Sequence, residues 1–194
     1  ILATIDPTNL VGLRDRLILQ TLAYTGTRVG AVAVLQRQHY YEAPGQWMLH
    51  FDEKRGKSRE IQVAHDLKVL FDEYLERSGM KEEKRTRDPK TGEWEPLYLF
   101  RTAAGRTGQL TKTAMNGNDI YKMMRRHAAR AGIGVRVSPH SFRVAIATDL
   151  HKQGIPTDEI QTLLGHSDVR TTNLYKRNRR GVTRNLVERI RLGR

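Results

Sequence analysis

Apolar side chains recur at helical spacing over residues 8–25, where Leu10, Leu13, Leu17 and Thr21 fall near one face with Ile18 and Leu22 beside them. Thr8 is the expected cap and Gly26 the expected stop. A short second helix is expected to carry Val29, Val32 and Leu35. The period then changes. Over residues 46–63 two apolar arms, 47–51 and 61–63, flank the polar stretch 52–60, with Gly56 near the turn, which predicts a β-hairpin. Helical spacing returns over 66–78, through Leu67, Leu70, Phe71, Tyr74 and Leu75. Residues 79–96 are charged and contain Pro89, Gly92 and Pro96, the pattern of an exposed loop rather than a domain linker. Residues 97–100 read as a short buried strand.

From Asn118 onward the spacing predicts helices. A helix capped by Asn118 runs to Arg130, with Ile120, Met123, Met124 and His127 on one face and Gly132 and Gly134 after it. Ser138 and Pro139 open the next helix as cap and first-turn proline, and Gly154 closes it. Thr157 starts another that ends at Gly165, and Ser167 starts one carrying Tyr175. Residues 183–192 group Leu186, Val187 and Ile190 as a last helix. The expected fold class is α+β, mostly α-helical, with one small antiparallel sheet. At 194 residues the chain is sized for one large domain with a core of its own.

Charge narrows the choice of partner. The formal net charge is +13, an excess that attracts polyanions such as duplex DNA. There is no cysteine, which excludes disulfides and thiolate metal sites. No run of about 18 apolar residues marks a membrane span, and no membrane partner is expected.

Five elements are candidates for chemistry, and each has an ordinary reading beside it. In Pro139-His140-Ser141-Phe142-Arg143, the histidine and arginine are three apart and share a helix face near an N-terminus. That pairing suits a phosphate, since a guanidinium forks onto its oxygens and the helix end adds N–H groups. Alone, such a pair is more often a cap region with a solvated arginine. His166, in Leu163-Leu164-Gly165-His166-Ser167, follows a helix-ending glycine, where a lone histidine is usually structural or exposed. Tyr175 lies on an amphipathic helix, where a tyrosine is more often core. A free phenol titrates near pH ~10, so as a nucleophile it needs a base or nearby cations. Arg28 follows the Gly26 turn at a helix start, a second possible phosphate fork or else a solvated surface arginine. Lys54 and Lys57 lie in the polar stretch of the hairpin, where lysines normally only solubilise.

In their joint order these elements resemble the tyrosine recombinase (phage integrase) family, catalytic domain. The resemblance is densest from Ser138 to Tyr175. It includes PHSFR, Ala147-Thr148, the Gly154 corner and QTLLGHSDVRTTNLY, and it extends back to about Leu13. It implies that Arg28 and Arg143 grip the scissile phosphate and that Lys54, or second Lys57, protonates the leaving 5′ oxygen. His140 would be general acid/base or proton partner of the nucleophile, His166 would hydrogen-bond the phosphate, and Tyr175 would be the nucleophile. In one place the chain departs from the family pattern. An acidic residue usual three positions after the first arginine is here Ala31, and Gly30 replaces the commoner serine.

The implied reaction is site-specific DNA cleavage and rejoining through a 3′-phosphotyrosyl link, without ATP, metal or other cofactor. The implied partners are duplex DNA bearing inverted repeats and further copies of the chain, as a tetramer on paired sites. A cytoplasmic, nucleoid-associated setting in a prokaryote or mobile element follows. The whole of 1–194 would be the catalytic domain, with no room before Leu13 for the N-terminal helical domain family members usually carry. The apolar face of Leu186, Val187 and Ile190 would dock on a neighbouring copy or on its own domain. Other readings are a type IB topoisomerase or a telomere resolvase, a non-catalytic basic DNA-binding module, and a basic RNA-binding protein. His140 argues against the topoisomerase, which usually has lysine there. The RNA reading rests on charge alone.

Overall fold

The computed structural model describes residues 1–53, 56–134 and 137–165 of the chain, without the side chain of Lys57. Six helices and five strands lie in those residues in the order α1 (Leu10–Thr25), α2 (Val29–Ala33), β1 (Tyr40–Ala43), β2 (Gln46–Glu53), β3 (Lys57–Gln62), α3 (His65–Arg77), β4 (Arg101–Ala103), β5 (Leu110–Ala114), α4 (Gly117–Arg130), α5 (Pro139–Lys152) and α6 (Thr157–Leu164). The mostly helical α+β class stands. The sheet content is larger than expected: a three-stranded antiparallel sheet β1-β2-β3 and a separate antiparallel pair β4-β5.

Helix α1 is the central element. Asn9 caps it, its Oδ1 accepting from Gly12 N at 2.8 Å. Thr8 does not, because its hydroxyl donates to Asp6 Oδ1 at 2.6 Å. The helix is buried nearly all round, packing against α2, α3, α4 and α5. Leu13, Leu17, Ile18 and Leu22 are fully enclosed. Even its charged pair Arg14 and Asp15 is buried. Arg14 Nη1 donates to Arg101 O at 2.6 Å, and His127 Nε2 from α4 lies 2.9 Å from Asp15 Oδ2. His127 thus shares the buried face of α4 with Ile120, Met123 and Met124, as its spacing predicts.

The hairpin forms where expected. Leu49 faces Ile61, Phe51 faces Arg59, and Glu53 faces Lys57 in the register of β2 and β3. Gly56 takes the left-handed conformation, φ 67°. Strand β1 was not foreseen. Tyr40 on that strand stacks between Trp47 and Phe71, at 4.6 Å from each ring. Leu99 and Phe100 are fully buried as expected, but they are not strand: β4 starts only after them, at Arg101, because Leu99 N is taken by Leu35 O at 2.8 Å outside any sheet. Helix α4 begins earlier than Asn118, since Asn116 is the cap and exchanges hydrogen bonds with Asp119. Ser138 caps α5 reciprocally with Ser141, and Pro139 occupies the first turn. Residues 81–97 form no helix or regular strand and are largely exposed.

Candidate active site

Four segments meet at one end of α1. The first is the turn that α1 makes into α2. Gly26 is left-handed at φ 57°, which ends α1 and delivers Thr27 and Arg28 to the start of α2. A Cβ at Gly26 would meet the end of the Leu164 side chain on α6, so the two corners pack closely there. The second segment is the hairpin, the third the first turn of α5, and the fourth the end of α6, where Gly165 is again left-handed at φ 62°.

Arginine side chains tie these segments together. Arg143, on the buried side of α5, donates through Nη1 to Gly26 O and through Nη2 to Leu164 O, the latter at 2.7 Å. It therefore fastens α5 to both glycine corners. A guanidinium carries five N–H donors, and these two bonds leave three. Arg28 donates through Nη1 to Glu53 Oε2 at 2.7 Å and keeps 45% of its side chain exposed. Arg59 Nη2 donates to Thr27 Oγ1 at 2.7 Å and lies 3.2 Å from Glu53 Oε1, while Arg59 Nη1 donates to Leu163 O. Glu53 is only 8% exposed.

Two guanidinium groups thus pair with one carboxylate, and the third, Arg143, feels its charge. Burial pushes the Arg59 guanidinium down to about 10; Glu53 opposes that shift, and Arg143 and Arg28 add to it by repulsion. Burial also lowers Arg143, with Arg28 lowering it further and Glu53 raising it. The excess of positive charge in a partly dry setting suits an anion.

Of the residues singled out in the sequence, Arg28 and Arg143 come together, joined through the Gly26 corner. His140 lies on the exposed first turn of α5, three residues before Arg143. Lys54, His166 and Tyr175 lie outside the described residues, as do Leu186, Val187, Ile190 and the expected helix over 183–192. Gly165, the residue before His166, is described, and a Cβ there would sit 3.3 Å from the Arg59 guanidinium.

Glu53 and Arg59 were missed. Both lie in the polar stretch of the hairpin, where only Lys54 and Lys57 were singled out, yet strand alternation marks them. Residues 49, 51 and 53 share one face of β2, and 59, 61 and 63 continue one face from β3; Leu49, Phe51, Ile61 and Val63 on those faces are buried. The polar ends of two inward-facing rows carry the ion pair.

The sequence profile described as "Phage integrase family" matches residues 1–181. The chain belongs to that family. Among curated relatives, it is 29% identical over 175 residues to a protein named "Tyrosine recombinase XerD" from Lacticaseibacillus casei, a match covering 90% of this chain and 54% of the relative. The chain thus spans about half the length of the curated relatives it matches. Among solved structures, it resembles the crystal structure of XerA recombinase with TM-score 0.62 and 25% identity, over 94% of this chain and 60% of that one. It also resembles, with TM-score 0.63 and 22% identity, a XerH site-specific recombinase solved bound to its difH substrate in a pre-cleavage complex, over 88% of this chain and 45% of that one. The latter likeness establishes the fold. The α+β architecture is that of tyrosine recombinases.

Proposed function

We propose that this chain is the catalytic part of a site-specific DNA recombinase that cuts and rejoins strands through Tyr175. The observation that carries the reading is the meeting of Arg28 and Arg143, far apart in sequence, around the Gly26 corner beside a third, mostly enclosed arginine, Arg59. Family membership supports it. A phosphodiester resists attack because it is anionic, and attack puts more charge on its non-bridging oxygens. Guanidinium groups held ready for that charge lower the barrier without reorganising, and one such donor is typically worth about 10²–10³ in rate.

The Tyr175 oxygen bonds to phosphorus as the bond from phosphorus to the 5′ oxygen breaks, leaving a 3′-phosphotyrosyl link and a 5′ hydroxyl. His140 takes up the phenol proton, and Lys54 gives one to the departing 5′ oxygen, with Lys57 the second choice for that acid. His166 donates to a phosphate oxygen beside Arg28 and Arg143. The link keeps the energy of the phosphodiester, so a 5′ hydroxyl from another strand reverses the step without ATP. Duplex DNA with inverted repeats is the substrate, with four copies of the protein acting on paired sites in the cytoplasm. The chain is the catalytic domain, one side of a clamp whose other side is the helical domain common in the family.

The test is covalent trapping on a duplex nicked beside the attack site, from which the short cleaved strand diffuses away. The chain is expected to form a denaturation-resistant adduct that Tyr175→Phe abolishes. An equal adduct from Tyr175→Phe removes Tyr175 as nucleophile. No adduct from the parent on any of a panel of inverted-repeat sites leaves a DNA-binding module. Relaxation of supercoiled DNA lacking such a site indicates a topoisomerase instead.

A further inference from the structure

The hairpin supplies more to this site than its lysines. Its strand β2 ends in Glu53, whose carboxylate divides between two guanidinium groups: Oε2 to Arg28 at 2.7 Å and Oε1 to Arg59 at 3.2 Å. Arg59 is in turn held by Thr27 Oγ1 and Leu163 O. Glu53 is thus anchored on its buried side by a fixed cation and presents its other oxygen to a half-exposed one. Arg28 itself is the cap residue of α2 and makes no side-chain capping bond. A long arginine so exposed would otherwise sample many rotamers.

Helix α2 itself offers Arg28 no carboxylate, since its first turn holds no acidic residue. Its third residue is Ala31, which is 8% exposed and packs with the core. We propose that Glu53 is the positioning residue for Arg28, supplying from strand β2 the carboxylate that α2 lacks at Ala31.

A partly exposed ion pair contributes little to stability, so the value of this one lies in orientation. Misplacing a group by about 1 Å can cost about a hundredfold in rate. The charge works the other way on binding. Glu53 sets a negative charge among three arginines, so neutralising it favours association with a polyanion. Loss of Glu53 should therefore slow cleavage while DNA binding holds or tightens, a divergence that general damage to the fold would not produce.

The proposal rests on the function above for what Arg28 grips, but not for how Arg28 is held, and the experiment separates the two. The full chain and Glu53→Gln are compared on the nicked duplex under single-turnover conditions. Adduct formation is expected to slow by about tenfold to a hundredfold, with an unchanged or lower Kd for the same duplex at fixed salt, while the urea midpoint falls because Arg59 loses its counter-ion. Glu53→Asp, which keeps the charge on a shorter arm, is expected to lie between. Adding Ala31→Asp to Glu53→Gln is expected to restore part of the rate. A Glu53→Gln protein that cleaves at the parental rate overturns the proposal, as does a parallel fall in rate, affinity and urea midpoint. Nitrogen-15 spectra of the arginine side chains decide the matter without catalysis. The Arg28 Nη–H signals, assigned through Arg28→Lys, should be slowed and dispersed in the parent, where Nη1 donates to Glu53, and fall among those of solvent-exposed arginines in Glu53→Gln. A parent that forms no adduct sinks the strand-transfer reading alone, whereas an Arg28 signal indifferent to Glu53→Gln sinks this one.

Discussion

Arg28 and Arg143 have the same proposed task and opposite structural settings. Arg143 is 7% exposed and bonded to two main-chain carbonyls, whereas Arg28 is 45% exposed and bonded to one carboxylate. Removing Arg143 leaves Gly26 O and Leu164 O without their charged donor. We expect Arg143→Ala to lower stability by about 2–3 kcal/mol and Arg28→Ala by about 1 kcal/mol or less, read from urea unfolding, while both abolish adduct formation. Equal stability losses would contradict the tether. Asp15 gives a second residue-scale test. Burial favours its protonated form, but the His127 hydrogen bond and the charge and hydrogen bonding of Arg14 outweigh burial and hold its carboxyl below the ordinary value of 3.8. The unfolded chain therefore takes up this proton before the folded one does. The stability contributed by Asp15 is complete above 3.8 and drains away as the pH falls below it through the folded value. Asp15→Asn strands Arg14 without its buried counter-ion. It is expected to cost about 3–5 kcal/mol near neutral pH and to flatten the acid limb of a stability-against-pH curve.

Helix ends, more than helix bodies, assemble the site. Gly26 and Gly165 are both left-handed corners, and Arg143 bonds to one and to the residue before the other. Both corners were legible as glycines at the ends of periodic segments. That Leu164 packs into the space at Gly26 was not, because the two are 138 positions apart. Gly26→Ala is expected to destabilise by about 2–3 kcal/mol, from the left-handed backbone plus the clash with Leu164. Gly45→Ala, with φ 74° and open space around it, should lose only the backbone part, about 1 kcal/mol. Thermal melts of the two variants check the difference, and equal shifts would remove the packing argument. The hairpin teaches a related point. Its period and turn are plain in the sequence, but a polar stretch such as 52–60 does not announce an inward-facing ion pair. Alternation alone puts 53 and 59 on the inward faces, and their charges are tolerable there because they pair with each other and with Arg28.

For the whole molecule the governing quantity is the net charge of +13. If duplex DNA is the partner, most of the affinity comes from phosphates, and binding releases condensed counterions. Affinity for a duplex should then fall by at least about tenfold between 50 and 200 mM salt, measured by anisotropy. A Kd that barely responds to salt would count against a phosphate-dominated interface. Short stretches of the chain are enough to set the helical and strand periods, the glycine and proline punctuation, the sign of the charge and the ordered motifs that mark the family. These are properties of neighbours along the chain, and a periodicity or a cap is written in a few adjacent residues. Packing between distant segments decides that α1 is buried nearly all round, that Asp15 meets His127 inside, that Arg143 fastens two glycine corners, and that Glu53 pairs with Arg28. Each of these depends on which surfaces are left for α1 and the hairpin to bury once α5 and α6 have packed against the rest, and no local stretch of sequence carries that information.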